Sequence, residues 1–424
     1  MEALATTNKL VQLNLSHDLF HAVRKNALQV LEEIGLPPAK AEEYKFTPIT
    51  RTLEKNFESL QPNGSPSNIE KNNFEIKALD ADRIVFVNGV FNEKLSSVTS
   101  KDVYIQTLTK LKNENIISKI GTLAKSNTDS FVALNTATFQ DGLFIEIKSN
   151  QKVERPIIIH HIADASQGKV VTATRNLIWV DENASVTVIE KYDAVGGAVF
   201  SSHVNEVFVA KQASFTYKLI QNDLGERYQF THTVIHQQSN SHVNCFALCL
   251  NGKLIRNNLQ LLLDGEHIHS HMYGLYLLNN DTLADNHTVA DHMKPNSISN
   301  ELYKGVMDGN AKGVFNGKIF VRQDAQKTNA FQSNRNILLS DAAGVNTKPQ
   351  LEIWADDVKC SHGCTSGQLD EEALFYLQAR GISKASAKAL LLYAFAGEVI
   401  EKIENETIRN YIDGLVAERL NQNF

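Results

Sequence analysis

Cys360-Ser361-His362-Gly363-Cys364 puts two thiols and an imidazole on alternate residues of one short stretch. Thiolate and imidazole are natural ligands for zinc, iron and iron–sulfur species. On an extended chain Cys360, His362 and Cys364 point to one face, because strand side chains alternate. A closed metal site needs a fourth ligand, and this stretch supplies none. The same spacing also suits two small buried cysteines flanking a polar turn. The spacing is C-x3-C, so the C-x-x-C redox motif is absent.

Other residues invite similar readings. His267, His269 and His271 alternate, which on a strand gives three imidazoles on one face. Facing out, they either bind a metal, as in a metal-dependent or carbohydrate-active β-helix enzyme, or form a solvated surface. His287 and His292 are weaker candidates. Cys245 and Cys249 lie four apart and read as core cysteines. The run from Gly309 through Gly313 to Gly317-Lys318 fails the phosphate-loop pattern, and its glycines fit tight corners better. Asp356 and Asp357 are adjacent and on a strand face opposite ways, a poor acid–base pair. No nucleophile elbow, zinc-protease or kinase pattern is present.

The elements that must position these groups change character along the chain. Apolar spacing predicts a helix over 16–34, with Ser16 as cap and Gly35 as stop. A short helix follows at 39–44, a polar loop at 61–73 and a strand at 83–90. Residues 108–125 and 129–139 read as helical. From Gly142 the period becomes two and stays so past residue 350. Asn183-Ala184-Ser185-Val186 recurs as Gln212-Ala213-Ser214-Phe215 and, more loosely, at Ser241, Ala311 and Ala343. A loose period of about 26–32 residues, a small residue and then alternating apolar positions, suits a β-helix with two or three strands per rung. Two amphipathic helices, 370–379 and 383–403, end the pattern. Their apolar face either caps the last rung or meets a partner helix. The chain therefore reads as an N-terminal helical region with a short strand (1–141), a β-helix core (142–366) and a C-terminal helical docking domain (367–424).

Bulk properties narrow the function. Hydrophobic residues are 42% of 424, enough for a large core. Charged residues are 21% and net charge is −6, which argues against nucleic acid or an anionic membrane as partner. No apolar run reaches about 18 residues, and Met1 to Leu15 lacks a secretory pattern. Four cysteines are too few for a disulfide framework, so a cytoplasmic location with free thiols is expected.

Several stretches resemble the SufB/SufD family of the SUF iron–sulfur cluster assembly machinery, on its SufD side. They are Leu351-Glu-Ile-Trp-Ala-Asp-Asp-Val-Lys-Cys360-Ser-His-Gly-Cys-Thr365, Phe375-Tyr-Leu-Gln-Ala-Arg-Gly-Ile382, Glu42-Glu-Tyr-Lys-Phe-Thr-Pro48, and the runs from Gly305 to Lys318 and Gln326 to Asn334. The resemblance implies a mainly β fold, a right-handed parallel β-helix between helical ends. It implies a non-catalytic scaffold that pairs with a SufB paralogue and docks the SufC ATPase through its tail. Phe375, Tyr376, Arg380, Gly381, Leu391 and Phe395 are the docking residues expected. Cys360 and His362 fall on the family's interface cysteine and histidine. Cys364 departs from it, since many relatives carry alanine there. SufB, as aligned, has a cysteine at Ala343 and a carboxylate at Gly363, so this chain lacks two of its candidate ligands. No cofactor is expected on the chain alone. Iron or a nascent cluster is expected at the interface between paralogues, a flavin in the complex is left open, and a homodimer is expected without partners.

Overall fold

The computed structural model describes residues 7, 9–11, 13–15, 18–64, 69 and 79–423. Its strands are β1 (Asp82–Val87), β2 (Val90–Phe91), β3 (Tyr104–Thr107), β4 (Leu143–Ile147), β5 (Ile157–Ala165), β6 (Val170–Val180), β7 (Ser185–Gly196), β8 (Val199–Val209), β9 (Ser214–Asn222) and β10 (Arg227–Gln237). Then come β11 (His242–Asn251), β12 (Leu254–Leu263), β13 (His269–Leu278), β14 (Leu283–His292), β15 (Ile298–Met307), β16 (Lys312–Val321), β17 (Asn329–Leu338), β18 (Gly344–Ile353) and β19 (Lys359–Gly367). The α-helices are α1 (His21–Ile34), α2 (Ile49–Asn56), α3 (Glu114–Ile117), α4 (Ser130–Thr138), α5 (Glu371–Ala379), α6 (Lys384–Ile400) and α7 (Glu406–Asn423).

From β4 onward the chain alternates between two sheets, odd strands in one and even strands in the other. The result is a parallel β-solenoid of about eight turns, with two strands per rung among the described residues. Each rung repeats the last at a distance of 26 residues (Tyr228 on Leu254) to 33 (Phe144 on Leu177). The strands are about ten residues long rather than short, so two of them complete a turn.

The repeat has a cause in the corners. Asn183, Gln212, Asn240, His267, Asn296 and Lys327 all have φ between 57° and 62°, and each stands two residues before an odd-numbered strand. Asparagine and histidine tolerate this left-handed conformation better than most residues. The next residue turns inward and is small in several rungs. Ala184, Ala213 and Ser241 are fully buried there. That corner is the signal behind the repeat at Ala184, Ala213 and Ser241, whereas Ala311 and Ala343 directly precede the even-numbered β16 and β18.

Inward positions such as Val186, Val188, Phe215, Val243, Cys245 and Met272 fill the lumen. The outer faces are covered too. Leu31, Leu36, Ile49, Leu53 and Phe57 pack with Phe131, Phe200, Tyr228 and Phe230 over the even sheet. Leu392, Ala396, Val399, Ile412 and Val416 pack with Ile220, Phe246, Leu248, Leu275 and Leu277 over the odd sheet. Burial on both faces explains why these strands carry so much Val, Ile and Leu.

Four expectations change. Residues 108–125 form a single turn at Leu108–Lys110, the short α3 and further turns, not one helix. The reason is tertiary: the amides of Gly121, Leu123 and Ala124 are drawn onto the Glu206 carboxylate (2.8, 2.8 and 3.1 Å), and Gly121 has φ 82°. The tail does not cap the last rung, because α6 lies on β13 and β15 at the outer face. It also contains a third helix, α7, anchored by Arg419 on Leu277 O (3.2 Å) and Asn279 Oδ1 (2.6 Å). Gly313 and Gly317 lie inside β16, and only Gly309 (φ 63°) serves a corner. The cap expected at Ser16, and most of the loop at 61–73, fall outside the described residues; α1 itself begins at His21.

Candidate functional site

The N-terminal end of the solenoid is closed by antiparallel strands, β2 on β1 and β3 on β4. The other end finishes on β18 and β19, each the last strand of its sheet. Edge strands leave a row of backbone donors and acceptors unpaired. Cys360, His362 and Cys364 lie on β19, in register with Ala330, Gln332 and Asn334 of β17.

The three residues face the lumen side of this open rung. Cys360 is half-buried and packs against the interior cluster beside Val358. Cys364 is exposed, and its Sγ donates across the rung to Thr347 Oγ1 of β18 at 3.2 Å. His362 is exposed. Burial pushes the Cys360 thiol up, so it stays protonated at neutral pH until a cation draws off its proton. A Cβ placed on Gly363 would meet nothing within 4 Å, so the opposite face of the strand is open at that point. Among the described residues no three or more His, Cys, Asp or Glu groups stand close enough to hold a metal ion. The edge thus presents ligand chemistry without an enclosed site.

The histidine reading fails on geometry. His267 occupies the corner before β13 with φ 57°, while His269 and His271 are on the strand, so the three do not share a face. His269 packs instead on its register partner His242, with ring centroids 5.0 Å apart. Burial, then neighbouring histidines, lower the pKa of both strand imidazoles. His292 is buried on Ser299 Oγ (2.8 Å). Cys245 and Cys249 are buried in the lumen, and burial pushes both thiols up to about 12.

His287 belongs to a structural clamp. The segment from Glu42 to Pro48 lies against the outer face of the even sheet. Glu43 meets Lys318 (2.7 Å) and His287 (3.5 Å), Glu42 meets Lys348 (2.5 Å), and Thr47 donates to Asp285 (2.5 Å). Asp285 also pairs with Arg256 (2.6 Å), whose guanidinium lies over the Tyr44 ring. The motif seen in sequence is therefore a strap that holds the last rungs, β14 to β18.

In the tail, Phe375 is 73% exposed and Tyr376 58%, and no residue of α5 is buried. With Leu377 and the half-buried Leu391 they line a shallow apolar groove rimmed by Asp370, Glu371 and Glu372. Arg380 lies over the Tyr376 ring at 5.2 Å, and Gly381 (φ 86°) turns the chain into α6. Phe395 is different. Its carbonyl accepts from Lys304 Nζ at 2.9 Å and its ring sits 4.3 Å from that ammonium, so it serves the contact with β15. Asp370 caps α5, accepting from the amides of Glu372 and Ala373.

Two buried residues below the edge escaped the sequence reading. Gln332 of β17 and Glu301 of β15 face the lumen in register with each other, and Gln332 Nε2 donates to Glu301 Oε2 at 2.7 Å. Their inward neighbours are themselves partly polar, Ser299 and Tyr303 beside Glu301 and Ala330 and Asn334 beside Gln332, so no pattern in the sequence marks them.

Residues 161–395 match the family described as SUF system FeS cluster assembly, SufBD core domain, and residues 4–159 match the SufBD protein N-terminal region. The chain is 32% identical over 394 residues to an iron–sulfur cluster assembly SufBD family protein of Synechocystis, covering 90% of this chain and 86% of that protein. It is 30% identical over 396 residues to the iron–sulfur cluster assembly protein SufD of Escherichia coli, covering 93% and 91%. SufD of Bacillus subtilis is 26% identical over 440 residues, covering 94% and 93%. On the strength of the core match and these near full-length relatives, the chain belongs to the SufB/SufD family of the SUF system, and its role lies in iron–sulfur cluster assembly.

Proposed function

We propose that this chain is a non-catalytic scaffold subunit of a cytoplasmic cluster-assembly complex. Its open rung pairs with a SufB paralogue, and α5 with the start of α6 docks the SufC ATPase. Iron or a nascent cluster is cargo at the junction, with Cys360 and His362 supplying part of its ligand set and the paralogue the rest. The observation that carries this reading is the open rung itself. Two strand edges that are unpaired among the described residues coincide with a half-buried thiol, an exposed imidazole and an exposed thiol. Without the paralogue, a second copy of the chain would cover the same edge, giving a homodimer.

Reconstitution with both partners tests it. Replacing Cys360 and His362 together by alanine should impair iron loading and cluster formation while the thermal unfolding curve stays in place. Full activity of that variant would sink the site assignment.

A further inference from the structure

Below the edge runs a column of three inward-facing residues. Glu301, Gln332 and His362 are register partners on β15, β17 and β19. Neighbouring strands stand ~4.8 Å apart, so each side chain is the next one's neighbour. The bond from Gln332 Nε2 to Glu301 fixes the amide: its nitrogen is spent on the carboxylate, and Oε1 is left buried with no partner among the described residues. Gln332 is only 3% exposed. Gly317 of β16 makes the slot that holds it, since a Cβ there would stand 2.1 Å from Gln332 Nε2.

Glu301 is 4% exposed. Burial, Thr288 and Gln332 act on its carboxyl, and no cation among the described residues does. The other titratable groups facing this part of the lumen bring no charge. Burial holds His292 of β14 neutral, and it pushes the Tyr276 and Tyr303 phenols up. Folded interiors rarely keep an unpaired amide oxygen beside an uncompensated carboxyl. Among the described residues the column lacks a donor for Gln332 Oε1 and a positive charge, and its open end is His362.

We propose that Gln332, held by Glu301, is a positioning residue for His362: its Oε1 accepts the imidazole N–H and leaves the other ring nitrogen free for a divalent cation such as Fe2+. This rests on the edge-site reading above. Metal-ligating histidines nearly always donate their second N–H to such an acceptor, which fixes the tautomer and ring orientation. Above about pH 7, where its carboxyl is ionised, Glu301 then supplies the negative charge behind the site.

The test is Fe2+ affinity of the assembled complex, measured anaerobically by chelator competition between pH 6 and 8. Gln332→Met removes the acceptor but strands Glu301. Pairing it with Glu301→Met removes both polar groups and leaves no orphaned charge in the core. Both variants should bind Fe2+ about 10–100-fold more weakly. Wild-type affinity should also fall more steeply than that of the double variant as pH drops through about 7, where Glu301 takes up its proton. A merely structural pair would not set that limb of the profile. Wild-type affinity and pH profile in the double variant, with binding lost in Cys360→Ala/His362→Ala, would overturn this inference and keep the edge site. Binding retained in Cys360→Ala/His362→Ala would overturn both.

Discussion

Glu43, in the segment before α2, meets Lys318 of β16 at 2.7 Å across 275 residues of chain. The contact is one tie of a strap that fastens the N-terminal segment over the rungs next to the open edge. Its neighbours are unequal in weight. Arg256 and Asp285 are both fully buried, whereas Glu43 is 44% exposed. Water screens the outer pair and not the inner one.

That inequality predicts a split among variants. Asp285→Ala strands the buried Arg256 guanidinium and should cost about 3–5 kcal/mol in urea unfolding. Glu43→Ala should cost under about 1 kcal/mol. Equal losses would mean that the strap is held by its surface ties instead.

The solenoid was legible because its corners repeat a left-handed conformation, so asparagine and glutamine recur before small residues at nearly constant spacing. The same corner misled the reading of His267, whose backbone role is invisible to an alternation count. The strap was legible only as a motif, since the partners of Glu42, Glu43 and Thr47 lie more than 200 residues away. Helix α7 was missed because its buried stripe is one residue per turn: Ile408, Ile412, Val416 and Leu420. The edge thiols and imidazole were legible as ligand types. Their place on the last rung follows from where the repeat stops, which residue types alone do not give.

Glu301 makes stability depend on pH in a defined direction. Burial raises its carboxyl from 4.5 to about 7, so between those values the folded chain binds more protons than the unfolded chain. Its contribution is therefore whole below pH ~4.5 and is lost as pH rises through about 7. Glu301→Gln should gain on wild type between pH 5 and 8 by on the order of 3 kcal/mol. Asp223 is also raised to about 7 by burial but is common to both proteins and cancels. A pH-independent difference in unfolding free energy would show that the carboxyl is not held in its neutral form.

The tail separates folding from docking. Leu392 and Ile412 are fully buried against the odd sheet. Replacing either by alanine should cost about 2–5 kcal/mol. Phe375 and Tyr376 support no core, so Phe375→Ala and Tyr376→Ala should change stability by under about 0.5 kcal/mol. A pull-down with the ATPase subunit should nonetheless lose binding in the second pair. Binding unchanged there would remove α5 from the docking surface.

Thiol labelling reads out the open rung without any activity assay. Cys364 is exposed, Cys360 is half-buried with its thiol pushed up, and Cys245 and Cys249 are enclosed in the lumen. Alkylation proceeds through the thiolate and needs access. Iodoacetamide should therefore modify Cys364 first, Cys360 more slowly, and the two lumen cysteines only on unfolding. If the paralogue covers β18 and β19, forming the complex should slow labelling of Cys364 and Cys360 together and leave the lumen pair unchanged. Labelling of the edge cysteines at the same rate in chain and complex would place the partner elsewhere, because a strand added to β19 cannot leave both of its thiols open to solvent.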